Sequence, residues 1–259
     1  MFSTLSGLPL WRLVAVVMIL PTVVAVLLQW QVRRFFGYER LKPNNEVAGF
    51  QFAIVGVIYA VLLAFVVIAV WEKFSEGQKG VAQEAGAAAA LFHYADGPEP
   101  EAAKLRHALE VYLERVIHAE WPAMDAGTED AGATHALNDL YQAAMALNRT
   151  GTRTVADMSE VFTQIDTLTS ARRIRLHLST GLVPDVIWLA LFVGAGLTVV
   201  YTFFFGTQSG LAQLAMTAIL SLLVTLGLFV IVALNRPFSG AVRIEPESLE
   251  HVLVSFEQK

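Results

Sequence analysis

Hydrophobic residues fall in blocks along this chain. Four apolar runs, at about residues 10–32, 47–71, 183–205 and 211–234, each reach the roughly 20 residues that a helix needs to cross the hydrocarbon of a bilayer. Between the second and third runs the blocks give way to a helical period. From Phe74 onward the apolar or small positions recur at Val81, Ala85, Ala88 and Phe92, a heptad-like seam. No proline or strong turn signal separates this seam from the second run. The two predict one helix of about fifty residues, on the order of 70 Å long, with Gly77 and Gly80 as its bending points.

The stretch "YADGPEPE" ends that helix, and Pro100 suits the first turn of the next. A helix over about 101–121 gathers Leu105, Leu109, Tyr112, Leu113 and Val116 on one face, and "PAMDAGTEDAG" reads as a loop. A third helix over about 134–148 carries Leu137, Leu140, Tyr141, Ala144 and Leu147. A fourth, capped by Thr154 three residues before Asp157, carries Val155, Met158, Phe162, Ile165 and Leu168. The tail ends in a short amphipathic helix through Leu249, Val252, Leu253 and Phe256. Nothing reads as a strand. The expected fold is all-α: membrane helices 1 and 2 in 1–71, a cytoplasmic helical domain in 72–182, membrane helices 3 and 4 in 183–234, and a cytoplasmic tail in 235–259.

Trp11 and Trp30 stand at the ends of the first run as interface anchors. The run continues through Val26, Leu27 and Leu28 with no small-x-small cleavage site, so it reads as a retained helix bent near Pro21. Only "GTQSG" separates the third run from the fourth, which makes them antiparallel neighbours. Four crossings put both termini and the central region on one side. That side carries Arg12, Lys73, Lys79, Arg172, Arg173, Arg175, Arg236 and Arg243, against Arg33, Arg34, Arg40 and Lys42 on the other. The bias makes it the cytoplasmic side.

Composition narrows the function classes. The chain is 55% hydrophobic and 16% charged, where soluble domains have about half and a quarter. It has no cysteine, which excludes disulfides and thiolate chemistry. A net charge of −5 argues against nucleic acid as a partner. No phosphate-binding loop, nucleophile elbow or zinc-helix motif occurs, so neither an enzyme nor a cofactor is expected.

Candidate chemistry concentrates on the second run. Ala53, Gly56, Ala60 and Ala64 share one helical face, most commonly a surface for packing inside the subunit. The alternative is a face lining a narrow pore, with Phe52, Val55, Ile58, Tyr59 and Leu62 as candidates for a hydrophobic constriction. No charge lies between Val47 and Trp71, and the ion-entrance candidates are Asn44, Asn45, Glu46, Glu72 and, at the third run, Asp185. Asp185 also has a plain structural use, as an acidic group at a helix N-terminus. His107, Glu110, Glu114 and His118 share a face and read as a solvated exterior, so no metal site is expected. Arg172, Arg173 and Arg175 read as a topology signal that can also meet anionic head groups. In "NRPFSG", Asn235, Arg236, Pro237, Phe238, Ser239 and Gly240 terminate the fourth helix.

Three stretches together resemble the bestrophin-like family of bacterial and plant membrane proteins: Asn45 to Phe50, "YAVLLAFVVIAVWE" at 59–72, and "NRPFSG" followed by "EPESL". True bestrophins are homopentameric chloride channels with four membrane helices per subunit, a helical cytosolic region and a pore lined by the second helix. The resemblance thus implies a homo-oligomeric ion channel, pentameric and anion-conducting by analogy, with membrane lipids and inorganic ions as its partners. An acidic calcium-binding cluster has no counterpart in this sequence, so calcium gating is not implied. A cation-conducting channel and a membrane-anchored scaffold or sensor for a cytoplasmic partner stay open beside it. A transporter is disfavoured because no inverted repeat is present, and a membrane enzyme because no ionisable cluster lies within the crossings.

Overall fold

Helices alone make up the regular structure of the computed structural model, which describes residues 9–257 and among them holds no strand. In chain order the α-helices of five residues or more are α1 (Leu10–Phe36), α2 (Asn45–Tyr94), α3 (Pro100–Arg115), α4 (Trp121–Asp125), α5 (Ala131–Arg149), α6 (Val155–Ser179), α7 (Asp185–Tyr201), α8 (Gly210–Leu234) and α9 (Glu247–Glu257). Four of them are long and apolar enough to cross a membrane: α1, α2, α7 with its short continuation to Phe204, and α8. Two compact units result. The first takes residues up to Glu72, then Leu182–Asn235 and Gly240–Val242; the second takes Lys73–Gly181, Arg236–Ser239 and Arg243 onward. The single 50-residue α2 supplies both, and neither Gly77 nor Gly80 interrupts it.

Two turns of π-helix, Ala15–Ile19 within α1 and Val116–Glu120 between α3 and α4, share a cause. Each ends two residues before a proline, Pro21 or Pro122. A proline donates no N–H, and its ring crowds the carbonyl four residues back. That carbonyl belongs to Val17 or His118, inside the π segment, and the widened turn relieves the clash without breaking the helix. At Pro21, where the sequence predicts a bend, the structure has this π turn. The loop expected from Pro122 begins later, because the helix runs on to Asp125 with Trp121 and Met124 buried.

In the first unit, glycines of α7 and α8 abut side chains of α2. A Cβ on Gly194 stands 2.6 Å from the Tyr59 ring, and one on Gly227 stands 2.4 Å from Leu63. The Tyr59 hydroxyl donates to the Leu191 carbonyl at 3.3 Å. The ring cannot swing aside without losing that bond. Gly194→Ala is expected to cost about 1–3 kcal/mol through overpacking, read as a lower thermal midpoint of the detergent-solubilised protein. An unchanged midpoint refutes the contact.

The second unit is cored by the faces that the periodicity picked out. Leu105, Leu109, Tyr112, Leu113 and Val116 of the α3 face, and Leu137, Leu140, Ala144 and Leu147 of α5, are all buried. Thr154 caps α6, its hydroxyl accepting from the Asp157 N–H at 3.1 Å. Val155, expected in the core, is 89% exposed, because the core stripe of α6 begins at Met158. Gly77 serves close packing: a Cβ there meets Ile244 at 3.0 Å and Phe238 at 3.4 Å. Phe92 and Phe256 stack with centroids 3.7 Å apart, which seats α9 in this unit.

Candidate functional site

The membrane-length part of α2 is divided lengthwise. Successive helical residues advance by about 100°, so its positions sort into two halves. Phe52, Val55, Tyr59, Leu62, Leu63, Val66 and Val70 fall in one half and are buried or half-buried. Phe50, Ile54, Val57, Ile58, Val61, Phe65 and Ile68 fall in the other, and all are exposed. Of the five pore candidates, Phe52, Val55, Tyr59 and Leu62 therefore share the packed half, and Ile58, 66% exposed, stands in the open one. Phe52 stacks on Tyr201 at 5.9 Å and meets Phe205 edge-on at 5.8 Å.

Ala53, Ala60 and Ala64 are exposed, and a Cβ on half-buried Gly56 meets nothing within 4 Å. The small-residue face was expected to serve packing inside the subunit. Those close approaches instead fall to Gly194 and Gly227, on the partner helices.

The ion-entrance candidates separate by role. Glu46 and Glu72 lie on the exposed half of α2, at its two ends. They stand 26 residues apart, about 39 Å along the helix. Between them the open half carries only uncharged side chains. Asn44 is exposed beside them. Asn45 is instead a clamp: its amide donates to the Gly206 carbonyl at 2.7 Å and accepts from the Gly206 N–H at 2.9 Å, holding the α7–α8 turn. Arg33 grips the same turn, donating to the Thr207 carbonyl at 2.8 Å and the Gln208 carbonyl at 3.0 Å. Asp185 is exposed in the first turn of α7. At the other end of α8, the Asn235 side-chain oxygen accepts from the N–H groups of Leu182 and Val183 at 3.1 and 3.0 Å.

The rest of "NRPFSG" closes tightly. Ser239 N–H donates to the Arg236 carbonyl at 3.2 Å, and the Pro237 carbonyl accepts from Ile244 N–H at 2.7 Å. Phe238 meets Trp121 edge-on at 5.7 Å. Gly240 takes a φ of 88°, a left-handed conformation that favours glycine.

A polar constellation in the second unit escaped the sequence reading. Arg175, fully buried, donates to both oxygens of Glu84 at 2.8 and 2.9 Å and to Glu120 at 2.8 Å. Arg172 also pairs with Glu120 and donates to the Thr134 hydroxyl at 3.0 Å. The Tyr112 hydroxyl donates to Glu84 at 2.6 Å. Two arginines balance two carboxylates, so the cluster is neutral. Burial opposes charge on Arg175, but Glu84 and Glu120 outweigh it and raise the guanidinium pKa above its ordinary value. Burial, with the Glu84 charge, keeps the Tyr112 hydroxyl protonated well above the usual tyrosine range. Arg172 and Arg175 were expected as a topology signal that can also meet anionic head groups. They are instead committed to carboxylates inside the helical core, and of the three only Arg173 is exposed.

Four membrane-length helices joined to a helical unit built on the continuation of the second define an all-α membrane protein. The family described as Bestrophin-like domain matches residues 19–249, most of the chain. The chain belongs to the bestrophin-like family. Its fold is also that of a bacterial bestrophin homologue from Klebsiella pneumoniae, with a TM-score of 0.74 at 15% identity over 93% of this chain and 98% of that one. A point variant of the same homologue gives a TM-score of 0.75 at 14% identity, over 93% and 99% of the two chains. No curated protein matches it in sequence.

Proposed function

We propose that this chain is the subunit of a homo-oligomeric ion channel in which the exposed half of α2 faces a central axis. One observation carries the reading: an open, uncharged half-helix is bracketed by a carboxylate at each end, on that same half. Ile54, Ile58, Val61 and Phe65 supply the apolar neck, which opposes ions by excluding water and conducts when it widens. Tyr59 and Phe52 hold the helix against α7 from behind. By analogy with bestrophins the assembly is a pentamer and conducts chloride. The helical unit and both termini lie in the cytoplasm of a bacterial cell, by the lysine and arginine bias, with α1, α2, α7 and α8 spanning the inner membrane.

Glu46 and Glu72 favour a second reading, cation conduction, because carboxylates at the mouths concentrate cations. A unit charge 4 Å from an ion contributes about 1 kcal/mol in water, about fivefold in local ion ratio. A reversal potential under a potassium chloride gradient separates the two. Chloride conduction puts it at the chloride equilibrium value, and Glu46→Gln with Glu72→Gln moves it further that way. A potential on the potassium side instead establishes the second reading. Purified protein that passes neither ion in liposomes refutes both.

A further inference from the structure

In the first unit, two cavities share walls along α1 and α7. One, of about 500 Å³, lies among α1, α7 and α8; the other, of about 450 Å³, lies toward the α1–α2 connection. Val200 and Phe203 line both, and Leu28 and Val32, one turn apart on α1, line one each. Through these shared residues the two lie in line, a trough along α1 from Val16 to Phe36, about 30 Å, the thickness of the bilayer hydrocarbon. It is open to the surface, with Val24, Leu28 and Val200 each more than 40% exposed. The π turn ahead of Pro21 contributes Val16 and Val17 to its lining.

The chemistry of the trough is sharply divided along its length. In the larger cavity only Ser221 and Thr225 are polar, and both are satisfied: Ser221 bonds Thr22 at 3.4 Å, and Thr225 donates to the Ser221 carbonyl at 2.8 Å. An occupant meets no free hydrogen-bonding group there, so it must be apolar. At the far end the smaller cavity reaches Arg40 and Asn44. Arg40 is exposed and makes no hydrogen bond or ion pair among the described residues. Arg34 and Lys42 stand near it in sequence, lying over the Trp30 and Tyr38 rings, with Glu39 and Glu46 as the local acids.

We propose that the part of this trough nearest Arg40, as far as about Leu28, holds an acyl chain of an anionic phospholipid whose phosphate is bound by Arg40. An apolar channel ending at an unpaired cation has the polarity of such a lipid, tail inward and head at the interface. Volume distinguishes a chain from a helix. One turn of helix, 10–12 Å across and 5.4 Å tall, fills roughly 400–600 Å³, as much as either cavity holds, whereas the trough runs past more than five turns of α1. The enclosed volume takes an extended hydrocarbon but not a whole helix. A chain anchored at Arg40 reaches about 15 Å, half the hydrocarbon thickness, to the level of Leu28 and Gly196. Gly196 lines the larger cavity and a Cβ on it meets nothing within 4 Å, so a larger residue there takes up trough space.

The inference rests on the membrane reading of these helices, and the test separates the two. The detergent-solubilised chain is titrated with dioleoyl phosphatidylglycerol or with phosphatidylcholine, and bound lipid is counted by native mass spectrometry. The expected preference for phosphatidylglycerol is about fivefold, one cation's share of an anionic head group, and Arg40→Gln abolishes it while chain binding persists. Gly196→Leu removes binding of both lipids. Equal binding of the two lipids by the parent protein overturns the head-group assignment. Unchanged binding in Gly196→Leu overturns the trough, as does loss of the oligomer in that variant with lipid retained, which makes the groove a subunit interface. Failure of either lipid to bind the parent protein contradicts the proposed lipid site; failure of the chain to partition into membranes at all contradicts the membrane reading itself. Arg40 is exposed, so its variant stays informative if Gly196→Leu misfolds.

Discussion

Arg175→Met lowers the stability of the helical unit by about 3–5 kcal/mol, the cost of leaving buried charge without its partner. Arg175 satisfies two carboxylates at once, and both Glu84 and Glu120 are fully buried. Without it, Arg172 still neutralises Glu120, while Glu84 keeps only the Tyr112 hydroxyl. Glu84 must then be buried charged or take up a proton, and either course costs free energy. A double change, Arg175→Met with Glu84→Gln, removes both charges and recovers much of the loss. That recovery separates the ion pair from simple loss of packing, because a packing defect deepens with a second substitution. Thermal unfolding of the solubilised protein followed by circular dichroism reads both variants. A loss below 1 kcal/mol in the single variant contradicts the geometry. Glu84 lies on the continuation of the helix that carries the proposed neck, so the pair also fixes how α2 is held within the second unit.

Ile58→Ala raises ion flux through the resting channel by about tenfold. Removing three carbons forfeits about 2 kcal/mol of hydrophobic free energy per side chain at roughly 0.8 kcal/mol per methylene. A fall of only about 1.4 kcal/mol in the barrier gives the tenfold change. Because Ile58 is 66% exposed and packs on little within the subunit, its truncation leaves the fold intact. Phe52→Ala is expected to act otherwise. It empties the stack on Tyr201 and Phe205 and costs about 3–5 kcal/mol of stability. Flux from liposomes read beside the unfolding midpoint distinguishes a neck residue from a packing residue. Equal effects of the two variants on both readouts contradict the division of α2.

Much of the architecture was legible because it is periodic and local. Unbroken apolar spacing without proline carried α2 from Asn45 to Tyr94, and the core stripes of α3 and α5 follow the same spacing. The two π turns were half-legible: Pro21 signals a bend, and Pro122 carries the same signal but heads a stretch with the composition of a loop. The side of α2 that packs was not legible. Phe52 and Ile58 are equally apolar, and what separates them is Gly194, Gly227 and Tyr201, more than 130 residues away in sequence. The buried ion cluster did leave a trace. Glu84 falls inside the seam of Val81, Ala85 and Ala88, and Arg172 and Arg175 extend the core stripe of Ile165 and Leu168. A charge on a core face demands a buried partner, a stronger signal than the three arginines read as a basic run.

The absence of cysteine from the chain makes one measurement decisive for the central claim. Ile58→Cys and Tyr59→Cys are adjacent on α2 and point to opposite halves, one exposed and one buried against α7. With each variant in a planar bilayer, a charged, membrane-impermeant thiol reagent is added while current is recorded. The account predicts that the reagent alters current through Ile58→Cys and leaves Tyr59→Cys unchanged. Modification of Tyr59→Cys with Ile58→Cys untouched contradicts it.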